Sequence, residues 1–229
     1  MNEWNFKDGK GSVPAHKHAN GGGWVSNTAS VADSAYVDSN ATVFEDATVS
    51  ENAQISGNAQ IYGNAQISGN VEVFGNALVF SKAVVSEKAR VYGSSLVFGD
   101  AEVSGNAEVF GNALVFANPL ISGNAVVFEH AEVYGNAKIY GDAKISGDAK
   151  VSGNVKIFQN ADVSENATVF GNSRVSGNAK VYGYAWVYGY ATVFGNSRVS
   201  GNARVFGDAE VSGDVKVSGD AKVSGEDGC

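Results

Sequence analysis

Gly75-Asn76-Ala77-Leu78-Val79-Phe80 is one beat of a six-residue pattern that decides the architecture of this chain. A Val or Ile stands at every sixth position from Val25 to Val223, 34 times, with no insertion or deletion. In the unit Ala-x-Val-x-Gly-Asn the first four residues alternate small or β-branched apolar side chains with freely varying ones. That period of two is the signature of a strand with one buried face. Gly-Asn supplies a corner, because both residues tolerate positive φ. A strand and a corner in every unit, without hairpin signals, predicts a coil rather than a meander. Three sides close a triangular turn, and stacked turns pair as parallel strands about 4.8 Å apart.

The Val/Ile positions and the Ala positions then form interior columns. Ala is demanded by space, since three sides converge on a narrow core. Its replacements stay small or slim: Ser95, Ser173 and Ser197, or Val71, Val155 and Val215. Pro119 falls at a strand start, where a lost ladder bond does least damage.

This pattern resembles the hexapeptide-repeat superfamily over about residues 25–223. The resemblance implies an all-β fold: a single-stranded, left-handed parallel β-helix solenoid with three faces and about 11 coils of 18 residues. Handedness comes from the resemblance alone, because the general rule for parallel crossovers is right-handed. Where the superfamily often has Gly after the aliphatic residue, this chain has Ser, Phe or Tyr. The same coil carries acyltransferases, structural proteins and ice binders, so the resemblance is specific for fold and not for activity. The lead-in Gly22-Gly23-Trp24-Val25 resembles that of bacterial and phage hexapeptide-repeat proteins without assigned activity. The expected division is a cap or loop segment over 1–24, the β-helix over 25–225 and a tail over 226–229. Trp4, Phe6 and Val13 are the expected plugs of the N-terminal end, which otherwise exposes core and strand edge.

Composition narrows the function classes. Net charge is −8, which disfavours non-specific nucleic-acid binding. No apolar run reaches the ~20 residues of a membrane span. Residues 1–24 do not read as a signal peptide, so a cytoplasmic location is expected, or a virion-associated one if the chain is phage-encoded. The one cysteine, Cys229, reads as an inert end, and no internal disulfide can form. No cofactor is expected: every corner explains its Gly, and no phosphate-cradling loop is left over. The Lys and Arg residues of the later half spread over all three sides and read as solvated surface.

Sorting outward residues by side gives the candidate surface. After each Val/Ile, the first face carries Phe44, Tyr62, Phe80, Phe98, Phe116, Tyr134, Phe170, Tyr188 and Phe206. The other outward position of that face holds Leu78, Leu96 and Leu114 beside this column, and Trp186 further along. An aromatic ladder stacking between turns accounts for Phe and Tyr, but not for Leu. The face is therefore read as a subunit interface; the resemblance to the superfamily, which commonly forms trimers of parallel helices, implies a homotrimer first and a dimer second. On the third face Glu72, Arg90 and Glu108 stand on successive turns beside Phe74, Tyr92 and Phe110.

Catalytic and metal chemistry have few carriers. Superfamily acyltransferases use a histidine base, and His130, at the corner Glu129-His130, is the one candidate here; a tolerated turn residue is the simpler reading. His16 and His18 could chelate a metal, yet no carboxylate or cysteine cluster accompanies them. Scattered Thr42, Thr48, Thr168 and Thr192 argue against ice binding. The expected function is a non-catalytic structural or interaction rod that self-associates through the Leu/aromatic face. The alternatives are an acyltransferase with an inter-subunit site, and a phage-type fibre segment binding glycans through Tyr184, Trp186 and Tyr188.

Overall fold

The computed structural model describes residues 2–225, so the tail at 226–229, Cys229 included, lies outside the described residues. The fold is an all-β parallel solenoid of about 11 turns of 18 residues, with three sheets and no helix among the described residues. Among the described residues no helix is long and apolar enough to cross a membrane. The chain divides into two compact units, Met1–Gly111 and Asn112–Cys229.

In the first unit each strand lies on the strand 18 residues later, as in Leu78 on Leu96 and Val79 on Val97. The backbone closes its own accounts. Leu78 N–H donates to the Ser95 carbonyl and Phe80 N–H to that of Val97, both at 3.0 Å, so every turn is bonded to the next. The second unit repeats the register, with Leu114 on Glu132 and Val115 on Val133. Away from the first and last turns the Val/Ile and Ala columns are closed off from solvent, with Ile61, Ala77, Ile139 and Ala143 all 0% exposed, whereas Val215, expected in the Ala column, is 49% exposed. Burying each aliphatic side chain contributes roughly 1.5–3 kcal/mol. The serines that replace Ala keep their hydroxyls satisfied, as Ser95 Oγ does on the Tyr92 carbonyl (2.9 Å) and Ser197 Oγ on that of Phe194 (2.8 Å).

The corners carry a rule that the strands do not. A Cβ at Gly63 would sit 2.7 Å from the backbone nitrogen of Ser81, one turn on. Side chains at these positive-φ corners therefore aim along the stack, into the next turn. Non-Gly residues do occupy some corners: Glu45, Glu51, Ser81 and Glu87 in the first unit, and Ala117, Glu129, Gln159 and Glu165 in the second. Each has Gly 18 residues later. The long ones use the arrangement: Gln159 Oε1 accepts from Gly177 N–H (2.8 Å) and Glu165 Oε2 from Gly183 N–H (2.9 Å). The bond offsets part of the cost of a left-handed residue.

The N-terminal segment departs from expectation. Residues 1–24 include strand β1 (Glu3–Asn5) and the six-residue β2 (Ser12–Lys17), which pair antiparallel with each other. Strand β2 also pairs antiparallel with β3 (Trp24–Ser26), the first repeat strand. The segment thus caps one sheet edge with hydrogen bonds. Phe6 does not plug the interior: it stacks on Phe44 at 4.8 Å and extends the aromatic column by one ring. Trp4 stacks on Trp24 at 4.4 Å and stays partly exposed.

Candidate functional site

The first face of the first unit holds the Leu and aromatic columns side by side. The strand pair Leu78–Val79 and Leu96–Val97 sets the two leucines in register, each half-buried. The rings beside them stack face to face: Phe44–Tyr62 and Tyr62–Phe80 at 4.8 Å, Phe80–Phe98 at 4.7 Å. Ring spacing equals the turn spacing, so the ladder follows directly from the register. Burial in this stack pushes the Tyr62 phenol pKa up, with a smaller contribution from the nearby Glu45 carboxylate. Phe44, expected on the exposed face, is only 3% exposed, because Phe6 and Tyr62 cover both sides of its ring.

In the second unit the ladder comes in pieces. Phe116 stacks on Tyr134 at 4.9 Å, Ser152 interrupts the column, and Phe170–Tyr188–Phe206 resumes it at 4.9 and 5.2 Å. Leu114 lies over Glu132, whose carboxylate pairs with Lys150 at 3.2 Å, so the apolar stripe gives way to charge within one turn. Further along, Trp186 meets Phe170 edge-on at 6.1 Å and carries the Arg204 guanidinium over its ring at 5.0 Å.

The third face of the first unit is a closed electrostatic set. Arg90 bridges Glu72 (3.0 Å) and Glu108 (3.3 Å) on the turns before and after it, and lies over the rings of Phe74 and Tyr92. Tyr92 Oη–H donates to Glu108 (2.8 Å). Burial, this bond and the Glu108 charge together push the Tyr92 pKa up to about 12.

Charge columns of the second unit are arranged differently. Lys138, Lys156 and Arg174 stack in register on one face, and Lys180, Arg198 and Lys216 on another. None of these six cations is ion-paired among the described residues. Like charges directly opposite one another destabilise a sheet.

The three histidines are not brought together. His130 is exposed at its corner, where its N–H donates to the Gly147 carbonyl (3.0 Å) and its neighbour Glu129 caps the Gly147 N–H. His16 Nδ1 meets Asn27 Oδ1 at 3.0 Å. His18 is buried, and its Nε2 sits 2.9 Å from the Ala35 carbonyl, so that nitrogen carries the proton. Among the described residues no cluster of His, Cys, Asp and Glu could hold a metal ion.

One turn of the second unit breaks the surface pattern. Tyr184, Trp186 and Tyr190 are 63%, 41% and 67% exposed and belong to a single seven-residue stretch. Tyr184 and Trp186, with Asn202, Arg204, Asp220 and Lys222, line an open cleft of about 420 Å³. Tyr190, which the sequence reading passes over, was signalled by its place: it and Tyr184 follow a corner Gly where the repeat supplies Asn. An apolar hollow of about 300 Å³ under the N-terminal hairpin, lined by Phe6, Val13 and Phe44, is bridged by the Lys10–Glu45 ion pair.

Comparison with known proteins bears on the fold. Two stretches, 173–189 and 197–213, match the family described as YdcK beta solenoid repeat. No curated protein matches the chain. Similar solved structures include the UDP-N-acetylglucosamine O-acyltransferase of Moraxella catarrhalis, at 15% identity and TM-score 0.44, covering 80% of this chain and 71% of that one. The acyltransferase of Acinetobacter baumannii is 16% identical at TM-score 0.41, covering 83% and 71%. That of Francisella novicida is 18% identical at TM-score 0.38, covering 72% and 66%. Likenesses of this size carry no argument about chemistry. Repeat and structure together identify the chain as a β-solenoid with a hexapeptide beat.

Proposed function

We propose that the protein is a non-catalytic solenoid that works by presenting its sides, and that copies of it associate through the first face of the first unit. The observation supporting this is the pair Leu78 and Leu96. The aromatic ladder is complete without them, and the same column holds Thr42 and Gln60 on earlier turns. Two leucines in register beside stacked rings leave apolar surface in water that the fold does not require. A second copy carries the same stripe in the same register, so copies can meet like with like. A cyclic trimer is the stoichiometry proposed first and a dimer second. His130 is assigned no chemical role.

The test replaces both leucines by the residue the column already uses. Leu78→Gln with Leu96→Gln keeps strand and core, and sedimentation of the full chain reads the mass. An oligomer that becomes a monomer in the variant, with an unchanged circular dichroism spectrum, is the expected result. A monomeric unaltered chain, or an unchanged oligomer in the variant, overturns the proposal.

A further inference from the structure

The stretch Tyr184-Ala185-Trp186-Val187-Tyr188-Gly189-Tyr190 sets four aromatic residues on alternate positions. Ala185 and Val187 are buried, so the four rings share the outward side of one turn. The fold explains one of them: Tyr188 stacks between Phe170 and Phe206 in the ladder. The other three cost the fold something. Elsewhere in this unit the corner amides stack on one another, as in Asn154–Asn172 and Asn160–Asn178–Asn196, with bonds of 3.0 Å. Tyr190 stands one turn beyond Asn172, and Tyr184 one turn before Asn202, so two amide ladders stop at tyrosines. Each change gives up a ladder hydrogen bond and places a ring in water. Trp186 stands directly over Thr168 and leaves a large apolar ring 41% exposed where the turn before has a small hydroxyl side chain.

The polar groups around these rings select a ligand class. Trp186, Arg204 and Lys222 lie in register on three successive turns. Neither cation is ion-paired among the described residues, and Arg204 is pre-oriented by stacking on the indole. At the corner beside them Asn202 Nδ2 donates to Asp220 Oδ1 (3.0 Å), leaving the second carboxylate oxygen and the amide carbonyl as acceptors. On the far side of that corner runs the unpaired column Lys180–Arg198–Lys216. In a chain of net charge −8 this is a local concentration of free positive charge around exposed rings.

We propose that this turn binds an acidic saccharide chain. The apolar C–H faces of the sugar rings lie on Tyr184 and Trp186. Arg204 and Lys222 take a sugar carboxylate, and Asp220 and the Asn202 carbonyl accept from hydroxyl groups. Tyr190 extends the platform along the same turn for a further sugar unit. Planar guanidinium suits carboxylate recognition, and aromatic faces suit ligands of alternating apolar and polar surface.

The test uses the full chain on an array of immobilised oligosaccharides containing uronic acid, sialic acid or only neutral sugars. Tyr184→Asn and Tyr190→Asn restore the residue the repeat provides, and Trp186→Thr the one below it, so folding is preserved; matching circular dichroism melts verify this. The unaltered chain binds acidic oligosaccharides in preference to neutral ones, less tightly as salt rises. The Tyr184→Asn, Trp186→Thr variant loses about tenfold or more in affinity. Arg204→Gln removes the preference for acid over neutral. Binding by the Leu78→Gln, Leu96→Gln variant is unchanged, which separates this site from self-association. No bound glycan, a preference for neutral sugars, or indifference to the Tyr184 and Trp186 changes overturns the proposal.

Discussion

The two units share one core and one register, and differ in how they use their surface. The first carries 6 basic and 12 acidic residues, the second 10 and 12. On the third face of the first unit, charges alternate along the column, Glu72–Arg90–Glu108, and each finds its partner one turn away. In the second unit cations sit on cations, Lys138–Lys156–Arg174 and Lys180–Arg198–Lys216, and aromatic residues replace corner amides. On that face the first unit thus uses its outward charges to hold itself together. The other leaves groups unmatched that an outside molecule could match. A β-solenoid permits this division because its outward residues carry little of the folding free energy, which resides in the interior columns.

The largest expected effect tests the claim of equal cores. Ile61 and Ile139 are fully buried, one in each unit. Ile61→Ala and Ile139→Ala should each cost about 3 kcal/mol in chemical denaturation. A large loss at one and none at the other would show that the cores differ as well as the surfaces.

Charge reversal addresses the columns, with a smaller effect of opposite sign in the two units. Arg90→Glu would put three carboxylates in register and should destabilise by about 1 kcal/mol. Arg198→Glu would turn a like-charged column into an alternating one and should stabilise by about 0.5 kcal/mol. Urea midpoints at low salt measure both, and the two shifts should shrink together at high salt. Equal signs would erase the contrast.

The smallest effect lies at alkaline pH and concerns the first unit. Its folded-state value raised to about 12, the Tyr92 phenol holds its proton more tightly folded than unfolded, where tyrosine titrates near 10. Its contribution is complete below about pH 10 and is lost as pH climbs to about 12. An ultraviolet titration of the tyrosines should show late ionisation that includes Tyr92, and Glu108→Gln should bring the Tyr92 part of it earlier while leaving the Tyr62 part unchanged. A titration unaffected by that change would place the cause elsewhere.

Much of this architecture was legible in the sequence because it is periodic. The Val/Ile beat gave the strands, the Ala columns the narrow interior, and the recurrence of aromatics every third unit the three faces. Glu72, Arg90 and Glu108 were readable as a stack for the same reason. What escaped was aperiodic or directional. The antiparallel hairpin before Trp24 has no repeat to betray it, so the sequence points to Phe6 as a plug and to Phe44 as an exposed residue. That Glu129 and Gln159 reach the N–H groups of Gly147 and Gly177 follows from where a left-handed corner aims its Cβ, which no composition reveals. Tyr190 stood in plain view, but only the Asn172 amide ladder ending beneath it shows why it is out of place.

The register of 18 residues against a beat of six has a genetic consequence. Losing one hexapeptide, say 63–68, would leave every strand, corner and interior column intact, since Glu45 and Glu51 would then meet Gly69 and Gly75 one turn on. Yet Leu78 would then land over Gln54 instead of Gln60, and every downstream outward residue would move to a neighbouring side. Such a lesion is silent to the core and changes only the outward pairs that cross the break, while pairs lying wholly beyond it, such as Leu78–Leu96 and Trp186–Arg204, keep their register. A change of one beat therefore breaks a stack such as Tyr62–Phe80 at the seam, whereas a change of three beats keeps every column on its own side.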